Sequence, residues 1–175
     1  MFFHADDLIE MDRRMSRSVS RLAFLVVRSI IWDMEADGET RMLAERLGRE
    51  IVRREGISSV EEGFSVLKKL GCGDVRVNSE DDRTDERVHE MGYDTVTVYE
   101  CISCSGAPEV GKTLCSLEGG LIEGIVSELK GNDYYAIEYA CWGMGDERCS
   151  FALVPKGDRD GELRVKRLVR ERASG

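Results

Sequence analysis

Apolar residues recur at three- and four-residue steps from Asp7 to about Met34, through Leu8, Met11, Met15, Val19, Leu22, Val26, Ile30 and Met34. This period predicts a long amphipathic helix. Phe24, Leu25, Val27, Ile31 and Trp32 widen the stripe, so its second half is expected to be buried on more than one side. At 1.5 Å per residue such a helix runs about 40 Å, longer than one small domain needs, which suggests a dimer interface beside plain core packing. Gly38 and Thr40 separate it from a second helix with Met42, Leu43, Leu47 and Ile51 on one face and Gly56 at its end. Ser58-Ser59 ahead of Glu61-Glu62 caps a third helix, which stops at Gly71.

Strand patterns follow. Asp74 to Asn78 alternates like an edge strand, Ser79 to Met91 is charged and reads as an exposed loop or hairpin, and Thr95 to Cys101 is the clearest strand. His89 in that charged loop reads as solvated. A glycine-bearing helix is expected from about Leu114 to Leu129, with Leu117, Leu121, Ile125 and Leu129 on one face. Tyr134 to Cys141 and Cys149 to Val154 then form an antiparallel hairpin around a Gly143 to Asp146 turn. The charged tail from Lys156 to Gly175 reads as a short last strand or a frayed end. The fold class is therefore one α/β (α+β) domain: helices over about 5–71, a mostly antiparallel cysteine-rich core over about 74–155, then the tail.

With 175 residues the chain is long enough for one core without covalent staples. A net charge of −9 argues against general binding to a phosphate backbone, so no nucleic-acid partner is expected. No apolar run approaches membrane-spanning length, and Met1-Phe2-Phe3-His4 runs straight into Asp6-Asp7 rather than forming a signal peptide. The expectation is a cytoplasmic protein without membrane insertion, in which thiols stay reduced.

Five of the six cysteines, Cys101, Cys104, Cys115, Cys141 and Cys149, fall within one stretch as C-x2-C-x10-C-x25-C-x7-C. Such a set either binds metal, does thiol redox chemistry, or is merely buried in a core. A closed tetrahedral site needs four thiolates. Cys141 and Cys149 sit at the two ends of a hairpin, Cys115 opens a helix, and Cys101 or Cys104 completes four. The sixth, Cys72, lies in a turn and reads as packing. Gly120 and Gly124 share a helix face, which implies either close approach of another backbone or room for a ligand. Trp142, beside Cys141, can flank a ligand mouth or lid the local core. Glu100 and Glu138 form a conceivable acid and base pair, but strand carboxylates beside charged loops read as surface ions. No phosphate loop or dinucleotide fingerprint is present, so catalysis has little support.

The run Cys115-x2-Glu118-Gly-Gly-Leu-Ile-Glu-Gly124 to Cys141-x3-Gly145-Asp-Glu-Arg-Cys149-Ser-Phe151 resembles the 4-vinyl reductase domain. The resemblance is specific over about residues 95–155. It implies a small-molecule or hydrocarbon-binding module, a fold like the TRAPP tethering subunits and haem-NO-binding domains, cysteines that bind zinc, and a homodimer through the N-terminal helices. The leading expectation is a sensing domain that holds a small apolar ligand near Gly120, Gly124 and Trp142 and passes its signal to an unknown protein partner. The alternatives are an enzyme or accessory of tetrapyrrole vinyl reduction, and a structural interaction subunit.

Overall fold

The structure is a computed structural model and describes residues 21–78 and 85–174. Three helices lead: α1 (Arg21–Asp33), α2 (Asp37–Glu55) and α3 (Val60–Lys69). Strand β1 (Asp74–Val77), the short α4 (Glu86–Glu90) and β2 (Thr95–Tyr99) follow. Then come α5 (Ser116–Lys130), β3 (Tyr134–Ala140), a 3-10 turn (Trp142–Met144), β4 (Cys149–Pro155) and α6 (Arg159–Ala173). The four strands pair antiparallel in the order β1-β2-β4-β3, so the expected edge strand and hairpin are both present. Among the described residues no helix is long and apolar enough to cross a membrane.

Helix α5 lies between α2 and the sheet, and the glycines are what allow it. A β-carbon on Gly120 would stand 2.4 Å from the Arg41 carbonyl oxygen, and one on Gly124 2.1 Å from that of Glu45. Across the same contact, a β-carbon on Gly48 would meet the Leu121 carbonyl at 2.5 Å. Backbone therefore packs on backbone, with Ala44 and Gly48 rather than Met42 and Leu43 on the buried side of α2. Helix α5 is buried nearly all round, including Glu118 and Glu123. Glu123 is paired there, with Arg41 at 2.6 Å and Lys156 at 3.0 Å. A buried charge with two hydrogen-bonded partners avoids the desolvation penalty of a lone one.

Caps end the helices where the sequence indicates. Ser59 accepts from the Glu62 amide at the start of α3, and Gly56 closes α2 in the left-handed conformation. Two expectations need correction. The tail is not a strand: Asp158 caps α6 by accepting from the Gly161 amide, and Val165 and Leu168 bury against the sheet face carrying Ile137, Tyr139, Ala152 and Val154. A charged surface around a narrow three-to-four-residue apolar stripe is an amphipathic helix, and the high density of charge hid that stripe. The second half of the first helix is not enclosed either. Leu22, Val26, Ile30 and Met34 remain exposed, and the one fully buried side chain of α1 is Arg28. The part expected before Arg21 lies outside the described residues, as do residues 79–84 of the charged stretch, whose remainder forms α4 with His89 exposed.

Candidate metal centre

Three backbone devices bring the cysteines together. Strand β2 ends at Tyr99, Glu100 then turns the chain with a positive φ of 51°, and a tight turn follows in which the Ser105 amide donates to the Cys101 carbonyl and the Ala107 amide to that of Cys104. Both thiols of the C-x2-C pair thereby face the core. Cys115 sits immediately ahead of α5. Cys141 and Cys149 flank the β3–β4 turn, where Gly145 takes a φ of 86° and the Asp146 carboxylate accepts from the Cys141 amide at 2.8 Å. Arg172 of α6 clamps that turn from outside, donating to Asp146 at 2.6 Å and to the Tyr139 carbonyl.

All five sulfurs are buried, and Cys115 and Cys149 each lie within 4.8 Å of the other three. Cys104 lies 3.1 Å from Cys149 and 3.2 Å from Cys115; Cys115 lies 3.4 Å from Cys149, 3.5 Å from Cys101 and 4.0 Å from Cys141. Four thiolates around a tetrahedral ion at 2.3 Å stand about 3.8 Å apart, so these spacings fit a thiophilic ion. Cys72 stays apart, buried in the core, with its thiol pushed up to about 12 mainly by burial.

The surprise is Glu138. Read from sequence as a surface ion, it is buried, and its carboxylate joins Cys115, Cys141 and Cys149 with all four donor atoms within 4.8 Å of one another. A second set within the same limit comprises Cys101, Cys104, Cys115 and Cys149. One Glu138 oxygen accepts from the Cys115 amide at 3.1 Å; the other is buried with no hydrogen-bond partner among the described residues. An orphaned buried carboxylate oxygen facing three thiols is what a ligand to a cation looks like without its cation. Burial, and then the charge of Cys141, pushes the Glu138 carboxyl well above the ordinary carboxylate range. Burial also drives Cys115 up, while hydrogen bonds from Cys104, Cys115 and Cys149 pull Cys141 down. Burial thus opposes charge on Glu138 and Cys115, and a cation bound beside them would offset that cost. The signal that could have exposed Glu138 was its position two residues before the strand's end, on the same face as the inward Ala136. Glu100 is exposed and lies outside the cluster.

The glycines leave no space for a ligand: helix α2 fills it at Gly120 and Gly124. Open space lies elsewhere. A cleft of about 590 Å³ lies beside β3 and is lined by the apolar Tyr135, Ile137 and Val169 and the charged Asp37, Arg41, Lys166, Arg170 and Glu138. Trp142 lines a separate open groove of about 710 Å³ with Tyr99, Arg76 and Asp74, its indole N–H unpartnered among the described residues.

Helices on an antiparallel sheet around a buried thiol and carboxylate cluster define a cysteine-centred α+β domain. Known proteins narrow this. Residues 94–155 match the model of the 4-vinyl reductase domain. The chain is 31% identical over 145 residues to the uncharacterized protein MJ1642 of Methanocaldococcus jannaschii, covering 82% of this chain and 80% of that one. It is 32% identical over 113 residues to the uncharacterized protein MJ0150 of the same organism, covering 63% and 60%. The chain belongs to the 4-vinyl reductase domain family, the one that the cysteine motif resembles. Its fold is shared by a vinyl-4-reductase family protein from Methanocaldococcus jannaschii, with a TM-score of 0.60 at 15% identity over 89% of this chain and 96% of that one. It is shared too by the phenol-responsive sensory domain of the transcription activator PoxR, with a TM-score of 0.57 at 17% identity over 86% and 82%.

Proposed function

We propose that this chain is a small-molecule-sensing module in which Cys115, Cys141, Cys149 and Glu138 hold a zinc ion and the cleft along β3 receives the ligand. The observation that carries it is the placement of Glu138, which belongs at once to the donor set and to the cleft wall. A ligand settling in the cleft meets the one oxygen donor of the set. A bound zinc supplies the positive charge that lets three thiols and a buried carboxyl ionise together. The cleft's aromatic and aliphatic wall, with Arg41, Lys166 and Arg170 beside it, suits a small apolar ligand bearing one hydroxyl or acidic group. The sensory domain of PoxR, solved with phenol, supports that class of ligand.

Output passes to a partner protein, and the exposed stripe of Leu22, Val26 and Ile30 on α1, with Met34 just beyond it, seats a second copy of the chain. The stripe continues the apolar period that the sequence carries back to Leu8. Light scattering of wild type against Val26→Glu/Ile30→Glu tests this: a dimer that becomes monomeric supports it, and a monomeric wild type overturns it.

The primary experiment is metal content and thiol titration on protein purified anaerobically without added metal, followed by calorimetric titration with phenol and benzoate. Zinc that is lost in Cys141→Ser, together with ligand binding weakened by Glu138→Gln, supports the reading. A metal-free protein that refuses zinc overturns the centre. Binding of the probes unaltered in Glu138→Gln overturns its coupling to the cleft.

A further inference from the structure

The zinc reading uses three of the five clustered thiols and leaves Cys101 and Cys104 with their sulfurs against the same ligands. Resting on that reading, we propose that the cluster binds a second thiophilic metal ion on Cys101, Cys104, Cys115 and Cys149, with Cys115 and Cys149 shared as bridging thiolates. The two donor sets have those two cysteines in common and differ at their outer ends, one closed by the C-x2-C pair and the other by Cys141 and Glu138. The shared pair are 3.4 Å apart, the separation of two sulfurs that bridge one pair of ions.

Several features favour a built site over spare packing cysteines. Cys72 shows what the latter looks like here: it is buried in the apolar core and hydrogen bonds to no other sulfur among the described residues. Cys101 and Cys104 instead point into the sulfur cluster, and their turn is anchored by α1. Arg21 donates to the Ile102 carbonyl and to the Ser105 carbonyl, each at 2.8 Å. Donor chemistry also divides the sites. The outer set is all sulfur and suits Zn²⁺, Cd²⁺ or Cu⁺, whereas the inner set has an oxygen donor. Charge closes as well: three thiolates and a carboxylate around one divalent ion carry a net charge of about −2, and adding two thiolates with a second divalent ion leaves it there. The 3.9 Å between Cys104 and Cys141 is the separation that must lengthen when both ions are seated, since these two sulfurs then serve different ions.

The test is an anaerobic titration of chelator-stripped protein with Co²⁺, read by absorption, electron paramagnetic resonance and bound metal after desalting. Wild type is expected to bind two ions per chain, and the paramagnetic signal gained with the first should fall as the second arrives, because bridging thiolates couple the two spins. Cys101→Ser/Cys104→Ser should bind one ion and keep its full signal, with folding checked by circular dichroism. If that variant does not fold, the wild-type spin coupling and Cys104→Ser alone decide. One ion in wild type, or two without coupling, overturns the second site while leaving the zinc centre standing. No ion at all means that the zinc reading itself has failed.

Discussion

Arg28 of α1, fully buried, donates from Nη2 to the Leu114 carbonyl at 2.9 Å, one residue ahead of Cys115. Trp32 reaches the same carbonyl from Nε1 at 3.3 Å, and the Arg28 guanidinium lies over the Trp32 ring at 5.1 Å. The helix with the exposed apolar stripe is thus fastened to the chain segment that enters the sulfur cluster. Arg28→Met keeps the volume and removes a charged hydrogen bond, which should cost about 1.5–3 kcal/mol in urea unfolding. Trp32→Phe, which leaves Arg28 in place, should cost less. Equal losses would show that Arg28 contributes only packing.

The crossing of α2 and α5 predicts an inversion of helix propensity. Alanine in place of glycine within a helix ordinarily gains about 1 kcal/mol. Gly124→Ala would put a β-carbon against the Glu45 carbonyl, rigid backbone that cannot step aside, so the variant should lose about 2 kcal/mol or more. Gly38→Ala, in the first turn of α2 with open space around it, should be neutral or stabilising. Thermal unfolding of the pair settles it, and a stable Gly124→Ala would mean the helices are further apart than described.

Glu118 gives a pH signature. It is buried in α5, accepts from the Ser103 hydroxyl, and has its carboxyl raised to about 8, chiefly by burial and then by the charge of Cys101. The folded state therefore holds a proton that the unfolded state releases near its ordinary value of 4.5. Stability from this group is complete below that value and is lost as pH rises through about 8. Relative to Glu118→Gln, wild type should lose up to about 4 kcal/mol between pH 4.5 and about 8.5. Parallel stability profiles for the two proteins across that range would refute the assignment.

Arg172 acts on the centre without touching a sulfur. Through Asp146 it fixes the amide and carbonyl of Cys141, so Arg172→Ala should weaken zinc binding about 10- to 100-fold by competition with a chromophoric chelator. Arg172→Lys should restore part of it. A loss of thermal stability with unchanged zinc affinity would reduce Arg172 to a structural tie.

Much of this was legible in the chain. Period and caps placed α2, α3, α5 and every strand, because burial of one face leaves a mark on sequence. The convergence of Cys115, Cys141 and Cys149 followed from their positions at element ends. Glu138 was missed because a carboxylate in a strand looks alike whether it faces water or thiols, and only the pairing of β3 with β4 decides which. Likewise the glycines of α5 announced a close approach, but not whether helix or ligand made it. The exposed half of α1 ran against its own pattern, since apolar periodicity marks a helix face but not whether the rest of the chain covers it.

The segment from Glu100 to Cys115 contains no helix or strand, and its stretch from Pro108 to Lys112 is largely exposed. The Val110 and Lys112 amides there donate to the Gly143 carbonyl, yet exposed irregular backbone is where a protease cuts first. A single cut there would part Cys101 and Cys104 along the chain from Cys115, Cys141 and Cys149, and the sulfur cluster would become a seam between two peptides.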